Sequence, residues 1–180
     1  MAEERYEIRI AGSGGQGVIL ATVILAEAAV NAGKYTAQSQ SYGPEARGGS
    51  AKAEVIISDD PIGFTKVQKP SFLMALTQDS LNKYGKNLPE GCIVLVDDSI
   101  ESIPDMPGCK VLRLPILSTA VEKVGRAQTA NIVAVGAIND ILHLVDHEHL
   151  RAAVLARIPK GTEELNMKAL EMGMALNAAV

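Results

Sequence analysis

The sequence predicts an α/β fold, three layers deep, around a mostly parallel sheet. Strand-like and helix-like runs alternate along the first two thirds. A glycine cluster directly follows the first strand and opens a helix, and the last third reads as mostly helical. The sheet is predicted to be partly mixed. The connection from Ser41 to Ser50 is too short for a right-handed helical crossover between parallel neighbours. The strands on either side, Tyr35 to Ser41 and Ser50 to Ser58, should therefore run antiparallel.

Arg5 to Ala11 forms the first strand, and Gly17 to Ala32 a helix that is apolar around nearly its whole circumference. Gly33 supplies its C-terminal stop. After the two strands around YGPEARGG, Asp59-Asp60-Pro61 punctuates the chain. Ser71 to Thr77 follows as a short buried strand, then a polar helix from Asp79 to Lys86. Cys92 to Val96 and Lys110 to Leu114 are further strands, with Pro115 starting a helical region to Val124. Ala130 to Leu144 is an apolar helix capped by Thr129, and His147 to Ala156 a shorter amphipathic one. Thr162, followed by Glu163 and Glu164, starts the last helix, since a capping hydroxyl and two acids suit the positive end of a helix dipole.

Residues 1–180 show no composition break, no internal repeat and no low-complexity tract, so a single domain is expected. A formal charge of -4, no Trp and two Phe leave neither a basic field nor stacking platforms for nucleic acid. MAEERYEIRI has no apolar signal core. The apolar stretch Val18 to Val30 is interrupted by Thr22 and Glu27 and falls short of a membrane span of ~20 residues. These observations predict a soluble cytoplasmic protein that binds neither nucleic acid nor membrane. Cys92 and Cys109 are too few and too far apart to hold an iron–sulfur cluster alone. His143, His147 and His149 lie close together, but beside Asp146 and Glu148 they read as a solvated turn before a metal site.

Gly12, Gly14 and Gly17 satisfy G-x-G-x-x-G in the right context, immediately after a strand. Gly12 allows a tight turn, Gly14 a close approach by another group, and Gly17 close packing of helix on strand, with helix N–H groups aimed outward. That is an anion-receptive geometry on a Rossmann-like scaffold; the same glycines could serve packing alone. A P-loop is excluded, because Val18 and Ile19 stand where Lys and Ser or Thr are needed. A dinucleotide site would place an acid ~20 residues beyond the glycines. Ala37, Gln38, Ser39 and Gln40 occupy that region instead. In QSYGPEARGG, Arg47 stands before Gly48 and Gly49, a loop able to bring a guanidinium and backbone N–H groups to one anion. The other reading is a tight connection with Glu45 and Arg47 solvated or paired.

With both stretches, the chain resembles the gamma subunit of 2-oxoacid:ferredoxin (or other acceptor) oxidoreductases, particularly the 2-oxoglutarate branch. GSGGQGV, QSYGPEARGG, Thr129-Ala130-Asn131-Ile132-Val133 with Gly136-Ala137, and Leu165-Asn166-Met167-Lys168-Ala169 with Gly173 carry the resemblance. It implies a complex that oxidatively decarboxylates a 2-oxoacid onto coenzyme A. Thiamine diphosphate would be held by alpha and beta subunits and iron–sulfur clusters mainly by a delta subunit. It further implies that Gly12, Gly14, Gly15, Gln16, Gly17, Arg47, Gly48 and Gly49 face the cofactor's phosphates or the neighbouring subunits. The residues agree in showing no cluster cysteines and no nucleophile beside a base, so the chain is expected to carry no catalytic residue and no cofactor alone. The alternatives are a free-standing nucleotide or flavin module and a purely structural scaffold. Because Val18 to Val30 and Ile132 to Leu144 are apolar on many faces, association with partners, or with a second copy in isolation, is expected.

Overall fold

The computed structural model describes residues 4–42 and 49–179. Within these residues six strands form one sheet in the order β2-β3-β1-β4-β5-β6. They are β1 (Arg5–Ser13), β2 (Tyr35–Tyr42), β3 (Ser50–Ser58), β4 (Phe72–Ala75), β5 (Ile93–Asp97) and β6 (Lys110–Leu114). β1, β4, β5 and β6 run parallel, while β3 is antiparallel to both β1 and β2. The short connection has the consequence read from its length: Tyr35 pairs with Ser58 and Ser41 with Lys52 in an antiparallel ladder.

The pleat divides the core. Ile8, Ile10, Phe72, Met74 and Leu95 face one side, where they pack with α1 (Val18–Asn31) and α4 (Ala130–Leu142). Leu73, Ala75, Val94 and Val96 face the other, under Leu81 of α2 (Gln78–Tyr84) and the segment carrying Ile100 and Met106. The second helical layer is thus reduced to one short helix over β4, β1 and β3. α5 (His147–Arg157) and α6 (Glu163–Leu176) complete the first layer.

α1 ends as its sequence implies. Gly33 adopts φ +84, its N–H donates to Val30 and that of Lys34 to Ala29, closing the helix with a left-handed residue. α4 does not need a partner to cover it, contrary to the expectation from its composition. Every residue from Ala130 to Asn139 is buried, mainly by α6. The two helices cross backbone to backbone, because Gly136 and Gly173 place no side chain between them.

Two expected caps differ. The Thr129 hydroxyl donates to the Arg126 carbonyl at 2.7 Å, and that of Thr162 to the Pro159 carbonyl at 2.6 Å; neither caps its helix. Their backbones, at φ/ψ of -83/0 and -111/11, already curl inward. The extended Thr77 (-134/156) and Asp146 (-69/164) do cap α2 and α5, as an extended N-cap conformation allows. The helical region after Pro115 begins as α3 (Ile116–Ser118) and continues as a π-wound turn, Thr119–Val124. The Ala120 carbonyl accepts from both Gly125 and Arg126, with Gly125 at φ +93.

Candidate functional site

β1 and β4 are parallel neighbours whose following helices, α1 and α2, lie on opposite faces of the sheet. Their C-terminal ends therefore form the switch point at which open α/β sheets bind ligands. Gly12 to Gly17 stands there, with Leu76 beside Gly12. The turn is held by contacts within the chain. Gln16 folds back so that its Oε1 accepts from Ser13 N–H at 2.8 Å, in space that a Cβ on Gly12 would fill. Gly14 N–H donates to the Gly49 carbonyl at 2.8 Å, so the group that approaches this glycine is the second glycine stretch of the same chain. A Cβ on Gly17 would stand 2.6 Å from Asn131 Nδ2, so its close neighbour is α4 rather than the strand.

Ser13, Gly14 and Gln16, whose N–H donates to the Ser13 carbonyl at 3.2 Å, therefore spend their N–H groups inside the protein. The start of α1 remains receptive: Gly17 at φ +75 provides no side-chain cap, and the first turn has no acid. A Cβ built on Gly15, at φ +91, would meet nothing within 4 Å among the described residues. Of the site residues predicted from sequence, Gly12, Gly14, Gly15, Gln16, Gly17 and Gly49 come together here. Arg47 and Gly48 lie outside the described residues.

The two Asn-containing motifs also converge. Thr129, Asn131, Leu165 and Asn166 line a cavity of about 170 Å³ with Leu20 of α1 and Arg126. Asn131 is 7% exposed, and its side-chain Oδ1 accepts from Ile132 N–H at 3.0 Å. Asn166 donates to the Thr162 backbone and hydroxyl, both at 3.0 Å. Sequence reasoning did not connect Asn131 with Gly17. A polar residue at the second position of a helix, followed by Ile132 to Ile138 that are all apolar or Gly, was the available signal. A larger cavity, about 610 Å³, lies among Asn87, Leu88, Met106 and Cys109. Leu88 and Cys109 precede β5 and β6, which puts it at the N-terminal ends of the parallel strands, away from the glycine turn.

The histidines have structural neighbours. His149 Nδ1 lies 2.8 Å from Asp146 Oδ1, which also accepts from His149 N–H. That backbone bond holds the Asp146 carboxyl below its ordinary value. His143 closes α4 at φ +52. No group of three metal-ligating residues occurs among the described residues, and none of their helices is long and apolar enough to cross a membrane.

Comparison with known proteins bears on the whole of this arrangement. The profile of the pyruvate ferredoxin/flavodoxin oxidoreductase family matches residues 7–176. The chain belongs to that family. 2-Oxoglutarate synthase subunit KorC of Methanocaldococcus jannaschii is 46% identical over 172 residues, covering 94% of this chain and 92% of that protein. The crystal structure of a keto/oxoacid ferredoxin oxidoreductase gamma subunit from Geobacter sulfurreducens PCA has 46% identity and a TM-score of 0.88, covering 98% of each chain. The 2-oxoglutarate:ferredoxin oxidoreductase from Magnetococcus marinus, solved with 2-oxoglutarate, coenzyme A and succinyl-CoA bound, has the same fold. There the TM-score is 0.88 at 21% identity, over 99% of this chain and 32% of that one.

Proposed function

We propose that this chain is the gamma subunit of a 2-oxoglutarate:ferredoxin oxidoreductase, a complex that converts a 2-oxoacid to its acyl-CoA. The observation that carries the reading is the likeness to the Geobacter sulfurreducens gamma subunit along 98% of both chains. The glycine turn, with its uncapped helix start, supports a role in receiving coenzyme A at the interface with alpha, beta and delta subunits that hold the thiamine diphosphate and the clusters. On this reading residues 1–180 act as one domain in the cytoplasm. In isolation the chain can form a homodimer in place of the missing contacts.

Reconstitution tests it. The purified chain should show no 2-oxoglutarate oxidation with a dye acceptor, and activity should appear when its partner subunits are added. In that complex Arg47→Ala should raise the KM for coenzyme A ten- to a hundredfold, the equivalent of a charge-assisted contact of roughly 1.5 to 3 kcal/mol. The KM for 2-oxoglutarate should stay nearly unchanged. Turnover by the chain alone would end the subunit reading. An unchanged coenzyme A constant in an intact complex would end the role of Arg47.

A further inference from the structure

On β1 and β3, the face of the sheet turned away from α1 carries charge where the other face carries core. Register places Arg9 opposite Glu54, Ala11 opposite Lys52 and Ser39 opposite Glu54, all on that side. Arg9 Nε and Lys52 Nζ lie 3.1 and 2.7 Å from Glu54 Oε1, and the Glu54 side chain is only 7% exposed. Lys83, at the end of α2, donates to Ser50 Oγ at 3.1 Å. Arg9, Lys52 and Lys83 stand 5.8, 5.7 and 5.3 Å from the centre of the Tyr84 ring.

Beside this cluster is a recess of about 240 Å³, lined by Ser39, Ser41, Lys52, Glu54 and Lys66. The next acid along β1 on this face, Glu7, is already engaged by Arg5 and by the N–H groups of Gln68 and Lys69. Arg9 and Lys52 thus share one carboxylate, while Lys66 lines the recess beside it and Lys83 stands over the Tyr84 ring, in a chain whose formal charge is -4. Like charges brought together on a half-buried face repel unless an anion joins them, and low local dielectric strengthens both effects.

We propose that this recess is a subsite for a phosphoanhydride: Lys52 and Lys66 hold its oxygens, the Ser39 and Ser41 hydroxyls donate to them, and Glu54 positions Arg9 and Lys52. The recess matches one or two phosphate groups in size, and it is walled by β2, β3 and the segment at Lys66 and Val67. It is too small for a helix or strand of a partner. As the source of the phosphates, coenzyme A rests on the functional reading above; free diphosphate does not. The site is distinct from the glycine turn, where the N–H groups of Ser13, Gly14 and Gln16 are already spent within the chain.

The test uses the full chain, ¹⁵N-labelled, at low salt, titrated with inorganic diphosphate and separately with coenzyme A. Diphosphate should shift amides around Ser39–Ser41, Lys52–Glu54 and Lys66. Lys66 is exposed, so Lys66→Glu keeps the fold; it should weaken diphosphate binding at least tenfold, while Lys66→Arg stays within about twofold of the parent. Lys160→Glu, with the same change in net charge on the other side of the sheet, should leave binding unchanged. Shifts centred on Gly14 to Leu20, tight binding by Lys66→Glu, or no shifts at millimolar diphosphate would each overturn the proposal. Coenzyme A shifting the same amides supports both readings. Diphosphate binding here without coenzyme A binding upholds the subsite and counts against coenzyme A reception. Coenzyme A binding at the glycine turn alone does the reverse.

Discussion

Gly17 is the residue on which the glycine motif turns. It holds φ +75, a conformation that costs an L side chain roughly 1 to 2 kcal/mol. Its missing Cβ also leaves room for Asn131, whose Nδ2 would stand 2.6 Å from it and whose side chain is nearly buried. A Cβ on Gly15, at φ +91, would meet nothing within 4 Å among the described residues, so Gly15→Ala carries the conformational cost alone. Gly17→Ala should therefore lower stability further than Gly15→Ala, by on the order of 1 kcal/mol or more, since Asn131 must shift from a packed position. Denaturant unfolding of the two variants measures the difference. Equal losses would mean that Asn131 yields freely and that Gly17 serves backbone conformation only.

Among the elements, the crossing of α4 and α6 is the least forgiving. A Cβ on Gly173 would run into the carbonyl of Val133, and one on Gly136 would meet Leu170 and, at 2.9 Å, the Met174 N–H. Backbone cannot rotate aside as a side chain can. Gly173→Ala should accordingly push the helices apart and cost about 3 kcal/mol, read as a lower denaturation midpoint, whereas Gly33→Ala should leave this crossing intact. A loss below 1 kcal/mol for Gly173→Ala would mean that the helices slide freely. This crossing also marks where sequence reasoning stopped. Strand and helix positions were legible because apolar periodicity and glycine punctuation are local, and the antiparallel β2–β3 pair followed from a short connection. The burial of α4 was not legible, since an all-round apolar helix reads the same whether α6 or another chain covers it. At the site, the motif gave the turn, but the contacts of Gly14 with Gly49 and of Gly17 with Asn131 join residues far apart in sequence. Arg9, Lys52 and Glu54 were singled out by no motif; only the register, unknown without pairing, puts them side by side.

For the whole molecule, the two cysteines offer a reporter of global unfolding. Cys92 precedes β5 and is fully buried, while Cys109, one strand over, is half-exposed. Burial pushes the Cys92 thiol up from 9.0 to about 11, and the neighbouring Cys109 adds to the shift. The thiolate is the reactive form, so Cys92 is shielded twice, by lack of access and by lack of ionisation. In the isolated native chain an alkylating reagent at pH 8 should modify Cys109 rapidly and Cys92 only through unfolding. The rate at Cys92 should follow the denaturant dependence of global stability. The same group predicts a pH effect with a definite sign. Because its folded value lies above its unfolded one, the neutral thiol stabilises the fold fully below pH 9. That contribution is lost as pH rises from 9 to about 11, where the unfolded chain alone releases the proton, at an eventual cost of roughly 2 to 3 kcal/mol. Cys92→Ala should reduce the slope across this window without abolishing it, because Tyr6, raised by burial, and Lys34, raised by its bond to Asp59, contribute alkaline losses of the same sign. Cys109→Ser should retain most of the slope. Rapid modification of two thiols per native chain, or an alkaline slope as steep in Cys92→Ala as in the parent, would refute the assignment of Cys92 to a rigid interior.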